Sequence, residues 1–143
     1  MPVPGKKDPD IDRIRLLKQR WESIMTLKEE RTDAALWNAV VAFQGYPFRT
    51  VSGLNFQYQL KVGRSGAYTK ELLIDRRENS KSLSWSSVLL AFHCAKERQG
   101  EIIRRPKALG DIRGISYIYP MLWRFGMIEV PEVVAARMES EEE

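Results

Sequence analysis

A single mixed α+β domain is the fold class this sequence predicts, and three observations predict it. Residues 54–62 alternate apolar Leu54, Phe56, Tyr58, Leu60 and Val62 with polar Asn55, Gln57, Gln59 and Lys61, the period of a strand with one dry face. Segments before and after that run instead repeat apolar residues at spacings of three and four, the period of a helix. Gly, Pro and Ser clusters separate the two kinds of pattern. The expected architecture is a three-stranded antiparallel meander packed by a central helix, with additional N-terminal helices and a short C-terminal helix.

Residues 1–8, rich in Pro, Gly and Lys, are expected to be disordered. From Asp10 to about Glu30, apolar Ile11, Ile14, Leu17, Trp21, Ile24, Met25 and Leu27 form a helical stripe, and Asp8, Asp10 and Asp12 suit the positive end of its dipole. That stripe needs a partner, either the domain core or the same helix of a second copy, a homodimer through residues 10–30. Thr32 or Asp33 caps a second helix through Ala34, Leu36, Trp37, Val40, Val41 and Phe43, which Gly45 and Pro47 end. Strands follow at Phe48–Val51, 54–62 and Lys70–Arg76, joined by turns at Ser52-Gly53 and Gly63–Gly66.

Serines 80, 82 and 84 offer N-caps for the central helix, which runs to about Gln99 and stops at Gly100. Its face of Trp85, Val88, Leu89, Phe92 and Ala95 suits the apolar side of the sheet, with Leu90 and Cys94 in other packing. Ser116 can cap the last short helix, Tyr117 to Phe125, with Pro120 in its first turn. The organisation expected is residues 1–31 as an amphipathic helix with a disordered start, 32–130 as the core domain and 131–143 as an acidic tail forming a frayed helix.

Composition narrows the function classes. The chain has 143 residues, 43% hydrophobic and 29% charged, which is ordinary for a globular protein. No window approaches ~18 uninterrupted apolar residues and no apolar h-region follows the first residues, so a membrane span or secretory signal is not expected. With one cysteine and no internal disulfide, a cytoplasmic location is expected. The net charge of +4 is segregated. Residues 32–130 carry fourteen Lys/Arg and eight Asp/Glu, whereas 131–143 carry one and five. A basic body with an acidic tail suits a polyanionic partner, with the tail competing for the same surface.

Catalytic and metal motifs are missing. The single His93 adjoins the single Cys94, and adjacent helical residues diverge by about 100°, so they make a poor nucleophile–base pair. One His and one Cys exclude the usual zinc sets within one chain. Asp8, Asp10 and Asp12 begin like an EF-hand loop, but Arg13 and Gln19 stand where Gly and Glu are needed. Neither a Walker loop nor a G-x-S-x-G elbow is present, and Asp75 lacks the Glu-x-Lys pair of a metal nuclease. No cofactor is expected, and a non-enzymatic protein is the favoured class.

Two basic clusters remain. Arg76, Arg77 and Lys81 precede the central helix; Arg104, Arg105 and Lys107 follow it, with Arg98 and Arg113 nearby. Phosphate binding needs several cations on one surface, because affinity comes from releasing counterions at each neutralised phosphate. Local pairing with Asp75, Glu78, Glu97, Glu101 and Asp111 is the competing outcome. The polar sheet face, Asn55, Gln57, Gln59 and Lys61 with Arg49, is a second candidate, since Asn and Gln suit adenine and Arg suits guanine in a major groove. Tryptophans 21, 37, 85 and 123 occupy helical apolar positions and are expected in core or interface rather than as stacking platforms.

The segments Phe48-x-Thr50-x-x-Gly53-Leu54-x-Phe56-x-Tyr58, Ser82–Val88, Pro106-Lys107-x-Leu109-Gly110 and Ser116-Tyr117-x-Tyr119-Pro120 through Gly126-Met127-Ile128 resemble a family of small bacterial proteins. It has no established activity, and the resemblance covers about residues 37–128. The strand–strand–strand–helix order is also similar to sheet-and-helix DNA-binding domains of some integrases and plant transcription factors, a likeness of topology only. The expected function is nucleic-acid binding or regulation through the basic surface, using Arg76, Arg77, Lys81, Arg104, Arg105 and Lys107. The alternative is a protein-binding adaptor or inhibitor, of the kind carried by mobile elements, acting through the first helix and exposed aromatics.

Overall fold

The structure, a computed structural model, describes residues 9–76 and 81–139. The expected disorder of residues 1–8, the side chain of Arg76, Arg77, the cap at Ser80 and the last acidic residues lie outside that range. The chain divides between Phe43 and Gln44 into two compact units.

The first unit is a helical hairpin. Helix α1, Pro9–Glu30, carries Asp10 and Asp12 in its first turn and Lys28 in its last. The chain reverses in two residues: Arg31 takes a left-handed φ of 52°, and Thr32 caps α2, Asp33–Ala42, by accepting from the Ala35 amide at 3.1 Å. Ile24 and Leu27 of α1 are buried, as are Leu36, Ala39 and Val40 of α2. Arg20 Nε donates to the Ala42 carbonyl at 3.0 Å, and its guanidinium lies 5.5 Å from the Phe43 ring centre. That bond satisfies a carbonyl of the last turn that has no intrahelical partner.

The second unit holds the sheet, which is a four-stranded antiparallel meander rather than a three-stranded one. Its strands are β1 Phe48–Arg49, β2 Asn55–Val62, β3 Tyr68–Arg76 and β4 Lys81–Ser84, each paired with the next. The fourth strand is four residues long with one apolar side chain, too short for a period of two to be read. Register puts Phe48, Phe56, Tyr58, Leu60, Leu72, Ile74 and Leu83 on the buried face. Phe48 stacks on Phe56 with ring centres 5.4 Å apart, and Tyr117 meets Phe56 edge-on at 5.0 Å.

Helix α3, Trp85–Glu97, is capped by Ser84 and buries Val88, Ala91, Phe92 and Ala95. Leu90, expected in other packing, is 54% exposed. The most buried helix is α4, Ile115–Arg124, with seven buried residues. Its buried residues cover more than half of its circumference, and Ser116, Trp123 and Arg124 occupy the remaining side. Pro120 stands inside it, not in its first turn, because the helix opens at Gly114 rather than Ser116. A fifth helix, α5 Glu132–Met138, packs Val134 and Met138 inward, so this part of the tail is anchored and not frayed.

Gly114 fixes how α4 starts. Its φ is 79°, and a Cβ built there would stand 2.4 Å from Leu83 Cδ1 on β4. Only glycine meets both conditions without strain. We expect Gly114→Ala to cost about 1–3 kcal/mol in urea unfolding. Combining it with Leu83→Ala should recover part of that cost, since the clash is relieved. A neutral Gly114→Ala would contradict the close approach.

Candidate nucleic-acid interface

Between α3 and α4 the chain alternates buried anchors with outward cations. Ile103, Leu109, Ile112 and Ile115 are buried, whereas Arg104, Arg105, Lys107 and Arg113 are exposed. The anchoring is tightest at Ile103, whose side chain is 1% exposed. Its amide donates to the Glu129 carbonyl at 2.8 Å, and its carbonyl accepts from the Tyr119 hydroxyl. With side chain, N–H and C=O all engaged inward, Arg104 and Arg105 lie exposed just beyond the clamp.

The next residues form a short 3₁₀ turn, Pro106–Leu109. Arg98, in the last turn region of α3, donates through its guanidinium to the Ala108 carbonyl and lies 3.5 Å from Glu101. Its charge is therefore spent on structure. Arg124 is spent likewise, donating to the Tyr46 hydroxyl at 2.8 Å while lying over that ring. Among residues 103–115 four cations face a single carboxylate, Asp111, which leaves a local charge of +3.

Lys81 opens β4 and is exposed. Leu83, two residues further along β4, lies against Gly114, so the chain beyond Gly100 returns to β4 immediately after Arg113. The Arg113–Gly114 turn thus approaches β4, the strand that Lys81 opens, across from α3, a helix ~20 Å long at 1.5 Å per residue. Arg76 ends β3 opposite Phe56 by its backbone.

The polar sheet face is different in charge. Gln57, Gln59 and Lys61 are exposed on it as the alternation requires, and Arg49 is half-buried beside Asn55, to whose amide oxygen its Nε donates at 3.0 Å. Register, however, places Asp75 opposite Gln57, and Glu71 reaches Lys61 at 3.7 Å while accepting from Ser82. Two carboxylates thus balance the two cations, and the face offers hydrogen bonds without net attraction for phosphate. Sequence reading could not see this, because it needs the β2–β3 register.

A recess of about 630 Å³ is lined by Asp75, Asn55, Gln57, Phe56, Leu54, Gly53 and Pro47. Among the described residues no second carboxylate and no lysine lines it, so the lone Asp75 has no partner there for acid–base work. His93 is exposed on α3 and Cys94 is half-buried. None of the four tryptophans is buried; Trp21 is 64% exposed, and the other three are half-buried. No helix among the described residues is long and apolar enough to cross a membrane.

Tyr119 controls the Ile103 clamp, and burial pushes its phenol up to about 12 from the usual 10.0. Tyr119→Phe should cost about 1–3 kcal/mol, since it leaves the buried Ile103 carbonyl unsatisfied. Below pH 10 the phenol is neutral in both states, so its contribution is complete. Between about 10 and 12 the unfolded chain loses the proton first, and stability falls as pH rises. Urea melts across that window should show the wild-type advantage over Tyr119→Phe shrinking with pH; a constant advantage would contradict the assignment.

Neither protein-family models, nor curated proteins, nor solved structures give a match to this chain.

Proposed function

We propose that this protein binds nucleic acid, as a non-enzymatic or regulatory factor, through Arg104, Arg105, Lys107 and Arg113 together with Lys81. The observation that carries this reading is the alternation between Ile103 and Ile115, where buried anchors hold four outward cations beside one carboxylate. Preorganised cations bind phosphates without first losing loop entropy. Arg76 and Arg77, a few positions before Lys81 in sequence, extend the same charge. The balanced sheet face supplies no phosphate attraction in this reading, and Gln57, Gln59, Lys61 and Arg49 act in base contact after docking.

Such binding is dominated by counterion release, so its affinity falls linearly with the logarithm of salt. Four or five phosphate contacts predict a slope of about −4 for duplex DNA. Neutralising Arg104, Arg105 and Lys107 together to Gln should reduce that slope by about 3 and weaken low-salt binding at least tenfold. Wild type that binds neither duplex nor single strands at low salt, or a triple variant with unchanged slope, would contradict the proposal.

A second reading rests on α1. Ile14, Leu17, Trp21 and Met25 are exposed on this helix, continuing the stripe that carries buried Ile24 and Leu27. A run of that kind marks an interaction surface. We assign it to a second copy of α1 packed antiparallel. Asp10, Asp12, Arg13, Arg15 and Lys18 give the first half of the helix a net charge of +1, and Arg20, Glu22, Lys28, Glu29 and Glu30 give the second −1, so antiparallel copies set halves of slight opposite charge together. Sedimentation equilibrium should find a dimer weakened by salt, and Trp21→Glu should make it monomeric with helix content unchanged. A monomer at every concentration, or a dimer indifferent to Trp21→Glu, would overturn this pairing.

A further inference from the structure

The recess beside Asp75, about 630 Å³, falls within the range of ~300–1,000 Å³ common to small-molecule sites. Its polar side chains have a definite hydrogen-bonding sense. Asp75 is exposed opposite Gln57 in the β2–β3 register, and an ionised carboxylate only accepts. The Asn55 oxygen already accepts from Arg49 Nε at 3.0 Å, so its NH₂ is the end left for a ligand. The Gln57 oxygen is turned toward Gly45, 3.7 Å from where a Cβ there would stand, which leaves its NH₂ likewise. One paired acceptor and two NH₂ donors therefore line the same recess, with Pro47 and Leu54 adding apolar surface.

The charge of the surroundings narrows the ligand. Because Arg49 and Asp75 offset each other on this face, a neutral group fits better than a further cation. Guanine is such a group, and its Watson–Crick edge carries two parallel N–H bonds, N1–H and N2–H, beside the carbonyl O6. A carboxylate takes two parallel N–H bonds bidentately, and a neighbouring NH₂ then reaches the carbonyl. Cross-strand neighbours such as Gln57 and Asp75 stand about 4.5–5.5 Å apart at Cβ, close to the width of that edge. The other bases match less well: adenine sets a lone pair against the carboxylate, uracil flanks its one N–H with two carbonyls, and cytosine offers only its amino group.

We propose that this recess binds an unpaired guanine base, with Asp75 accepting from N1–H and N2–H and the NH₂ of Gln57 or Asn55 donating to O6. The base must be unpaired, because a duplex occupies that edge. It can belong to a free nucleotide or to a single strand, and the chemistry of recognition is the same. The strand as source rests on the nucleic-acid reading above; the recess itself shares no residue with the Arg104–Arg113 surface.

The test is a titration of the full chain with GMP, followed by NMR through the side-chain NH₂ resonances of Asn55 and Gln57, against IMP, AMP, CMP and UMP. All five share sugar and phosphate, so differences among them report the base alone. Saturable shifts are expected with GMP, and about tenfold weaker binding with IMP, which lacks the N2 amino group. Asp75→Asn, an exposed substitution, should abolish the preference for GMP over IMP while the Leu60 and Leu72 amide resonances stay in place. The Arg104/Arg105/Lys107→Gln variant should keep that preference. Competition names the source: an oligothymidine strand with one guanine that displaces GMP about tenfold better than GMP displaces itself assigns a strand, and equal displacement assigns a free nucleotide. Five nucleotides bound alike, displacement by oligothymidine without guanine, shifts produced equally by N-acetylargininamide, or a preference that survives Asp75→Asn would overturn the proposal. The first of these would leave the phosphate-binding surface standing, since its own test is the salt slope.

Discussion

The proposed binding surface of this chain depends on how Ile103 is held. A residue between two helices, outside regular structure except for one isolated bridge at its neighbour Ile102, has its side chain buried and both backbone groups bonded inward, one to Glu129 and one to the Tyr119 hydroxyl. Such closure is needed because an unpaired backbone group in an apolar interior costs as much as a lost hydrogen bond. Its consequence is directional. With Ile103 drawn into the interior, and Leu109, Ile112 and Ile115 repeating the same commitment, the intervening cations are displayed at the surface by the packing itself.

Charge and polarity part company in the second unit. The sheet face, rich in Asn and Gln, has the composition of a base-reading surface, yet Glu71 and Asp75 cancel Lys61 and Arg49 across the strands. The Ile103–Ile115 segment has few amides and a net positive charge. Since phosphate attraction follows charge rather than hydrogen-bonding capacity, the proposed docking surface is the loop and not the sheet. Arginines nominally alike also divide by role: Arg20, Arg98 and Arg124 cap or bridge backbone and ring groups, whereas Arg104, Arg105 and Arg113 are exposed beside buried anchors.

Much of this fold was legible in the sequence where a period ran long enough to be counted. The first helix, the Thr32 cap and the alternation of β2 from Asn55 to Leu60 appear as the pattern predicts, whereas Val62, beyond a register shift, is exposed. β4 did not, because four residues with one apolar side chain carry no period, and its serines read as helix caps. The depth of α4 was also hidden, since ten residues with an internal proline do not show how many of their sides are enclosed. For the candidate site, the charges at 104–107 stood out as composition, but their outward display needed Ile103, and the neutrality of the sheet face needed the register. The recess beside Asp75 joins β3 to Asn55 and Gln57 through that same register and leaves no local signal.

The most direct test of the account is a footprint. Arginine- and lysine-directed labelling of the protein, read by mass spectrometry with and without a bound nucleic-acid duplex, locates the protected cations independently of affinity. The account predicts protection at Arg104, Arg105, Lys107 and Arg113, with Lys81 protected at the margin and Lys61 labelled as in the free protein. Protection centred on Lys61 and the sheet face, with the Ile103–Ile115 segment labelled equally in both states, would contradict it.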